Sequence, residues 1–481
     1  MPDEGLQKVT IGPLTLLWPE DRKPDPTDCI SSTDYRYWDP GIARYFSPRG
    51  IHGTYLAIEY AVVRACRRLQ MCDDAAVEEI EKACQQITSN EIFERELATQ
   101  HDVQAVVEAI QDRVSEKTKP LVHAGGTSYD IICTANAIAM RDCIRTVIMP
   151  ELRKLLKRLI VIAKEHADTP QTGRSHLKHG TPITFGFWAA GYVSRISEAI
   201  PNIHNAARRL NGKYRGAMGN LQALQFLVNE PFAFEIDVLS EFDLKPAPYS
   251  SQIVPHDDTA RLLSELTVLI MVLSNLGEDI RLMAATEIDE ITLELKPGES
   301  GSTAMPDKVN PWRAESVCSA GRALVGRIVT ALLNCESDFQ RDLRDSLASR
   351  TYGETFDFIL YAIKKASDQI SRITVNKKAL KRNLKLTKGG NLSESWNAAL
   401  RAVGCPNAHK VMKELAKESR QTGIFLPRLA MLSSELKPYI DRMTPQTRDA
   451  LMDPAKCTGL SSVIATSIAA SAARDNGITI E

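Results

Sequence analysis

Residues 262–283 read LLSELTVLIMVLSNLGEDIRLM. Large apolar residues recur in this stretch three and four positions apart, at Leu262, Leu266, Leu269, Leu273, Leu276, Ile280 and Met283. That spacing marks one face of an α-helix and does not fit the alternation of a strand. Three other stretches carry the same stripe. One is Leu152, Leu155, Leu159 and Ile162; another is Val193, Ile196, Ile200, Ile203, Ala207 and Leu210; the last is Phe356, Ile359, Ile363, Ala366 and Ile370. Such seams predict long helices packed nearly parallel or antiparallel, with every striped residue in the core. Pro201 lies inside the second stripe and predicts a kink or break there.

Outward from these stripes the pattern changes. Residues 1 to about 50 are rich in Pro and Asp and contain the cluster Tyr35-Arg36-Tyr37-Trp38, which predicts an irregular arm. From Ile51 to about Lys119 the pattern is helical, with short turns near Cys72 and Asn90. After about Val375 it shortens into small helices punctuated by Gly389-Gly390, Pro406, Pro427, Pro438 and Pro445. The expected architecture is all-α. An N-terminal helical domain with its arm spans 1–120, a central long-helix bundle 121–375 and a small C-terminal helical domain 376–481.

Totals narrow the function classes. Lys plus Arg (59) nearly cancel Asp plus Glu (60), so no overall charge points to nucleic acid or a membrane surface as partner. Ten cysteines without a C-x-x-C pair fit a reduced protein better than a disulfide framework or a zinc site. The uncharged stretch 266–277 is bracketed by Glu265 and Glu278 and falls short of the ~20 residues that a spanning helix needs. The start, Met-Pro-Asp-Glu-Gly, lacks the basic and apolar regions of a signal peptide. These features predict a soluble, cytoplasmic protein.

The chemistry concentrates between the stripes. Residues 298–311 read GESGSTAMPDKVNP. Two glycines free the backbone, and Pro306 and Pro311 stiffen the second half of the stretch. Between the first glycine and the last proline stand a hydroxyl (Ser302), a cation (Lys308) and an amide (Asn310), a set able to take a proton and steady an anion. An ordinary surface loop has a similar composition. The stretch resembles the signature loop of the fumarase/aspartase superfamily, Gly-Ser-Ser-x-Met-Pro-x-Lys-x-Asn-Pro. Gly301, Ser302, Met305, Pro306, Lys308, Asn310 and Pro311 match it, and Thr303 replaces the second Ser. The resemblance implies elimination of fumarate from a succinyl group, with Ser302 as the base. Its alkoxide then needs positive charge and donors around it, which Lys308, two loop amides and a helix N-terminus could provide.

Other elements resemble the same superfamily, and several resemble its adenylosuccinate lyase branch. Arg174-Ser175-His176 is similar to an Arg-Thr-His element, which implies His176 as general acid. Lys178 stands where a Gln is usual and is assigned to the substrate site. His176 and His179 are spaced i, i+3, but no third ligand is near, so no metal is expected. His101-Asp102 resembles an Asn-His-Asp element, implying that His101 supports the acid and Asp102 borders the substrate. Thr127-Ser128 resembles a Thr-Ser-x-Asp element that binds the succinyl carboxylate; a helix cap is an equal reading of the local sequence. The run Pro248 to Asp257, with Gln252 inside it, resembles an adenylosuccinate lyase element, as do Gly212-Lys213-x-x-Gly216-Ala217-x-Gly219-Asn220 and Gln340 to Ser346 with Arg350. Arg36-Tyr37 resembles an N-terminal phosphate-holding pair.

By spacing, Arg341, Ser346 and Arg350 suit a phosphate, although a solvated ladder with Asp342 and Asp345 fits the same pattern. The resemblance favours the phosphate. It implies splitting of adenylosuccinate to AMP and fumarate, and of the analogous imidazole-carboxamide succinate. It also implies a homotetramer with shared active sites and no cofactor. A sister lyase on another N-substituted aspartate and a non-catalytic helical homologue are the alternative readings.

Overall fold

The computed structural model describes residues 6–19 and 30–480. The main core and the candidate sites rest chiefly on nine of the helices among the described residues. They are α1 (Pro48–Arg68), α2 (Asp102–Gln111), α3 (Ser128–Cys143), α4 (Met149–Glu165), α5 (Phe185–Arg208), α6 (Asp257–Met283), α7 (Trp312–Leu333), α8 (Tyr352–Ile370) and α9 (Lys377–Lys385). Strands are confined, among the described residues, to antiparallel pairs: β1 (Leu6–Ile11) with β2 (Leu14–Pro19), β3 (Pro170–Ser175) with β4 (Lys178–Thr184), and β5 (Ile291–Leu293) with β6 (Ile373–Val375). The fold is all-α in substance, as the stripes predict.

All four stripes lie on helices, with only Leu210 falling past a helix end, and their residues are buried almost throughout: Leu262, Leu266, Leu269 and Leu273 on α6, and Phe356, Ile359 and Ile363 on α8, are at most 1% exposed. Of the kink or break expected at Pro201, the break does not occur. α5 runs through that residue, with Ile196, Ile200 and Ile203 buried on either side of it; the packed stripe outweighs the lost hydrogen bond. A π-helical turn, Ile144–Ile148, joins α3 to α4 without interrupting the helical run.

The N-terminal arm holds more order than its composition suggests. β1 and β2 form a hairpin whose Val9, Leu14, Leu16 and Trp18 are buried. The part of the arm at 1–5 and 20–29 lies outside the described residues. The expected turns near Cys72 and Asn90 separate α1 from the helix Asp74–Gln86, and that helix from Ser89–Thr99.

The chain groups into two compact units. The first comprises 1–151, 200–270 and 320–361; the second comprises 152–199, 271–319 and 362–481. In the first unit the N-terminal helices pack around α1, which is buried along most of its length. The second unit includes the small C-terminal helices, which have a core of their own around fully buried Trp396, with Leu392, Leu400, Met412 and Leu426. The Trp396 indole donates to the Leu451 carbonyl at 3.1 Å, so this bulky side chain leaves no polar atom unpaired.

Candidate active site

In the second unit, the loop at 298–311 is tied down at both ends. Glu299 accepts from the backbone N–H of Lys296 and from the guanidinium groups of Arg313 and Arg372. Arg313 and Arg372 also meet at Asp368. The Lys296 N–H and then the Arg313 guanidinium hold the Glu299 carboxyl down at about 2. Further along, the Asn310 amide donates to the Gly301 carbonyl at 3.1 Å and closes the loop. Gly301 permits this closure, because a Cβ there would collide with the Lys308 carbonyl.

Inside this closed loop the Ser302 Oγ accepts backbone N–H groups from Ala304 at 3.4 Å and Met305 at 3.1 Å. Two donors aimed at one hydroxyl oxygen favour its anionic form over its neutral one. The Lys308 side chain has no hydrogen-bond or ion-pair partner among the described residues, so its charge remains available. α7 begins directly after the loop, at Trp312.

His176 stands at the tip of the β3–β4 hairpin, in the same unit. Ser175 pairs with Lys178, leaving His176 and Leu177 as the two turn residues. Both have left-handed backbones, at φ 53° and 57°. A two-residue hairpin of this kind normally takes Asn-Gly, so two ordinary side chains there hold the turn under strain. Beneath the tip lies a charged knot. Glu290 is fully buried and accepts both Arg174 guanidinium nitrogens, at 2.6 and 3.0 Å. It also accepts the Gln171 and Asn383 amides, each at 2.9 Å. His176 and Lys178 are exposed, and no hydrogen bond joins His176 to Ser302. Burial and the Arg174 charge lower the pKa of the neighbouring His179.

The first unit carries the remaining groups, in two clusters. Asp130 organises one of them. It is the third helical residue of α3, and its carboxylate accepts N–H groups from Thr127 at 2.8 Å, Arg215 at 2.9 Å and Gly216 at 3.0 Å. Fully buried Lys213 pairs with it. The Lys213 ammonium also donates to the carbonyls of Gln252 at 3.0 Å and Gly216 at 3.3 Å. One ion pair therefore fixes Thr127-Ser128, the 212–220 loop and Gln252 together. Thr127 is the N-cap of α3, so the capping interpretation of this pair describes its local role.

The other cluster gathers along α2, α3 and the segment before α8. Asp102 pairs with Arg350 at 3.2 Å, and both line a cavity of about 290 Å³ with Tyr129 and Ser346. Arg341 is set apart from that cavity. Its guanidinium binds Asp345 and the Tyr129 hydroxyl and lies 4.0 Å over the Tyr129 ring. His256 meets Asp345 from another side at 2.9 Å. Burial opposes ionisation of Asp345, but His256 and Arg341 outweigh it and hold its carboxyl below the usual range. Asp342 pairs with Arg344 instead. His101 caps α2, its Nδ1 accepting the Gln104 N–H at 3.3 Å. Tyr37 packs edge-on against Phe358 and Tyr361, and the Arg36 guanidinium lies over Tyr35.

The residues read from sequence thus supply the exposed His176, Lys178, Lys308 and Arg350, together with the buried Asp102 and the nearly buried Arg341. Their buried partners Glu290, Asp130 and Lys213 carried no assigned role. For Asp130 a signal existed: an acidic residue three places after Thr127 is the pattern of a capping box.

The family model described as Lyase matches residues 39–326, and the one described as Adenylosuccinate lyase C-terminal matches 337–447. The adenylosuccinate lyase of Pyrococcus horikoshii is 31% identical over 419 residues, covering 85% of this chain and 92% of the relative. That of Methanocaldococcus jannaschii is 28% identical over 438 residues, covering 90% and 93%. A solved 3-carboxy-cis,cis-muconate lactonizing enzyme from Pseudomonas putida superposes with a TM-score of 0.81 at 25% identity, covering 91% of this chain and 98% of that one. A fumarate lyase from Mesorhizobium sp. BNC1 superposes at 0.79 with 21% identity, covering 90% and 98%; at that identity the likeness is one of fold.

Proposed function

The chain belongs to the adenylosuccinate lyase family, and we propose that it splits adenylosuccinate into AMP and fumarate, with Ser302 as base and His176 as acid. The analogous imidazole-carboxamide succinate of purine synthesis is its second substrate. The observation that carries this reading is the Ser302 oxygen held under the Ala304 and Met305 N–H groups. A serine is a feeble base unless its alkoxide is stabilised, and these donors act on that oxygen.

The reaction builds on these groups. Ser302 takes the proton from the succinyl carbon beside a carboxylate, and the electron pair moves onto that carboxylate. Lys308 and Asn310, with Thr127, Ser128, Lys178 and Gln252, hold the succinyl group and offset the gathered negative charge. The electron pair then forms the double bond of fumarate as the carbon–nitrogen bond breaks. His176, supported by His101, gives a proton to the leaving nitrogen. Arg36, Tyr37, Arg341, Ser346 and Arg350 hold the 5′-phosphate, and Asp102 orients Arg350. No metal or organic cofactor takes part.

The working form is a cytoplasmic homotetramer with active sites shared between subunits. Exposed apolar residues on α7, at Val325, Val329, Leu332 and Leu333, support subunit packing. By length and composition both α6 and α7 could cross a membrane, but the apolar stripe of α6 is buried in the protein core. The unpaired cysteines among the described residues suit a reducing compartment.

Incubation with adenylosuccinate and, separately, with argininosuccinate tests the reaction. AMP and fumarate are expected in equal amounts from the first, and no fumarate from the second. Fumarate from argininosuccinate alone would transfer the chain to the sister-lyase reading.

A further inference from the structure

The second unit holds a larger cavity, of about 940 Å³, to which none of the proposed catalytic or substrate-binding residues contributes. One wall is α9. Lys377, Lys381 and Lys385 stand on it at i, i+4 and i+8, which places them on a single face, and Lys388 follows one turn later. The stretch 377–388, KKALKRNLKLTK, contains six basic residues and no acidic one. Leu380 and Leu384, also on α9, join Phe425, Met452 and Pro454 in an apolar floor.

Like charges four residues apart on a helix repel, and neighbouring carboxylates usually offset them. Here none does. Among the described residues, no ion pair engages any of the four cavity lysines. Two acids do reach the cavity, Asp168 and Asp453. Asp453 is occupied with the Ala455 N–H at 3.0 Å. Four cations against two carboxylates leave a positive lining over an apolar floor, within the volume range of small-molecule sites.

We propose that this cavity binds a phosphorylated small molecule of nucleoside polyphosphate type, with its phosphates against the lysine face and its apolar body on the Leu380–Phe425–Met452 floor. Each half of the lining recognises one half of such a ligand. Lysine suits phosphate as a mobile point charge, and the apolar floor gains by covering a ring. This inference is independent of the lyase reaction.

The test is calorimetric titration of the full chain with ATP, in the presence of saturating AMP and fumarate to fill the proposed active site. One ATP per chain is expected to bind. Inorganic pyrophosphate lacks the body and adenosine lacks the charge, so each should bind at least about tenfold more weakly than ATP. The Lys381→Gln/Lys385→Gln variant should lose ATP affinity by about tenfold or more, while its circular dichroism and its fumarate release without ATP stay unchanged. The proposal is overturned by absence of ATP binding with or without AMP, by equal affinity in the variant, or by pyrophosphate binding as tightly as ATP. Binding of a single-stranded RNA in preference to ATP would make the lysine face a polymer surface and would equally overturn it.

Discussion

At the scale of single residues, the candidate site divides into exposed groups and buried groups that hold them. Arg341 and Arg350 show the difference. Their spacing alone suggests equal partners in a phosphate site. In the folded chain Arg341 is buried against Asp345 and Tyr129, whereas Arg350 has a side chain 64% exposed, with Asp102 as its ion-pair partner at the cavity. Arg350 therefore has the greater freedom to meet a phosphate. A charge-assisted guanidinium–phosphate contact contributes about 1.5–3 kcal/mol. Arg350→Ala should lower kcat/KM for adenylosuccinate by roughly tenfold to a hundredfold and leave the dephosphorylated nucleoside handled about as before. Comparing the two substrates in wild type and variant checks this, and undiminished phosphate preference in the variant would remove Arg350 from the phosphate site.

At the scale of elements, the sequence was most legible where one periodicity ran long. The stripes on α4, α5, α6 and α8 announce buried helices, and nearly every side chain is where its spacing puts it; Ile162 is half-buried and Leu210 falls past the end of α5. Short strands were less legible. In β3 and β4 the polar and small residues Gln171, Thr172, Gly173, His179 and Gly180 hide the alternation. Their left-handed turn falls on His176 and Leu177 rather than on Asn-Gly. The hairpin owes its hold to Glu290, which is distant in sequence, and no local pattern could show that. Glu290→Ala would strand Arg174, Gln171 and Asn383 without their acceptor. Breaking a buried charge pair this way typically costs about 3–5 kcal/mol, so a clear fall in the thermal midpoint is expected. Glu290→Gln retains one acceptor and should fall less. An unchanged midpoint in the alanine variant would mean that the knot does not hold the hairpin.

At the scale of the whole molecule, membership of the family was legible in the 298–311 loop and in the runs around Gln252 and Arg341. The buried charged pairs were not, because they join residues such as Asp130 and Lys213 across long intervals of sequence. The exposed apolar face of α7 bears on assembly. A chain that packs this face against copies of itself should elute as a tetramer in light scattering coupled to gel filtration. Val329→Glu/Leu332→Glu should shift it to smaller species and reduce activity with them. A fully active monomer would show that one chain supplies every group.

The central claim, that Ser302 drives fumarate release from adenylosuccinate, is tested most directly by following that release with wild type and Ser302→Ala in one assay. The account predicts release by wild type and a fall in kcat of about a thousandfold or more in the variant, with AMP binding retained, because the lost group acts in the transition state. Near-equal rates in the two proteins, or no release by wild type, would contradict it.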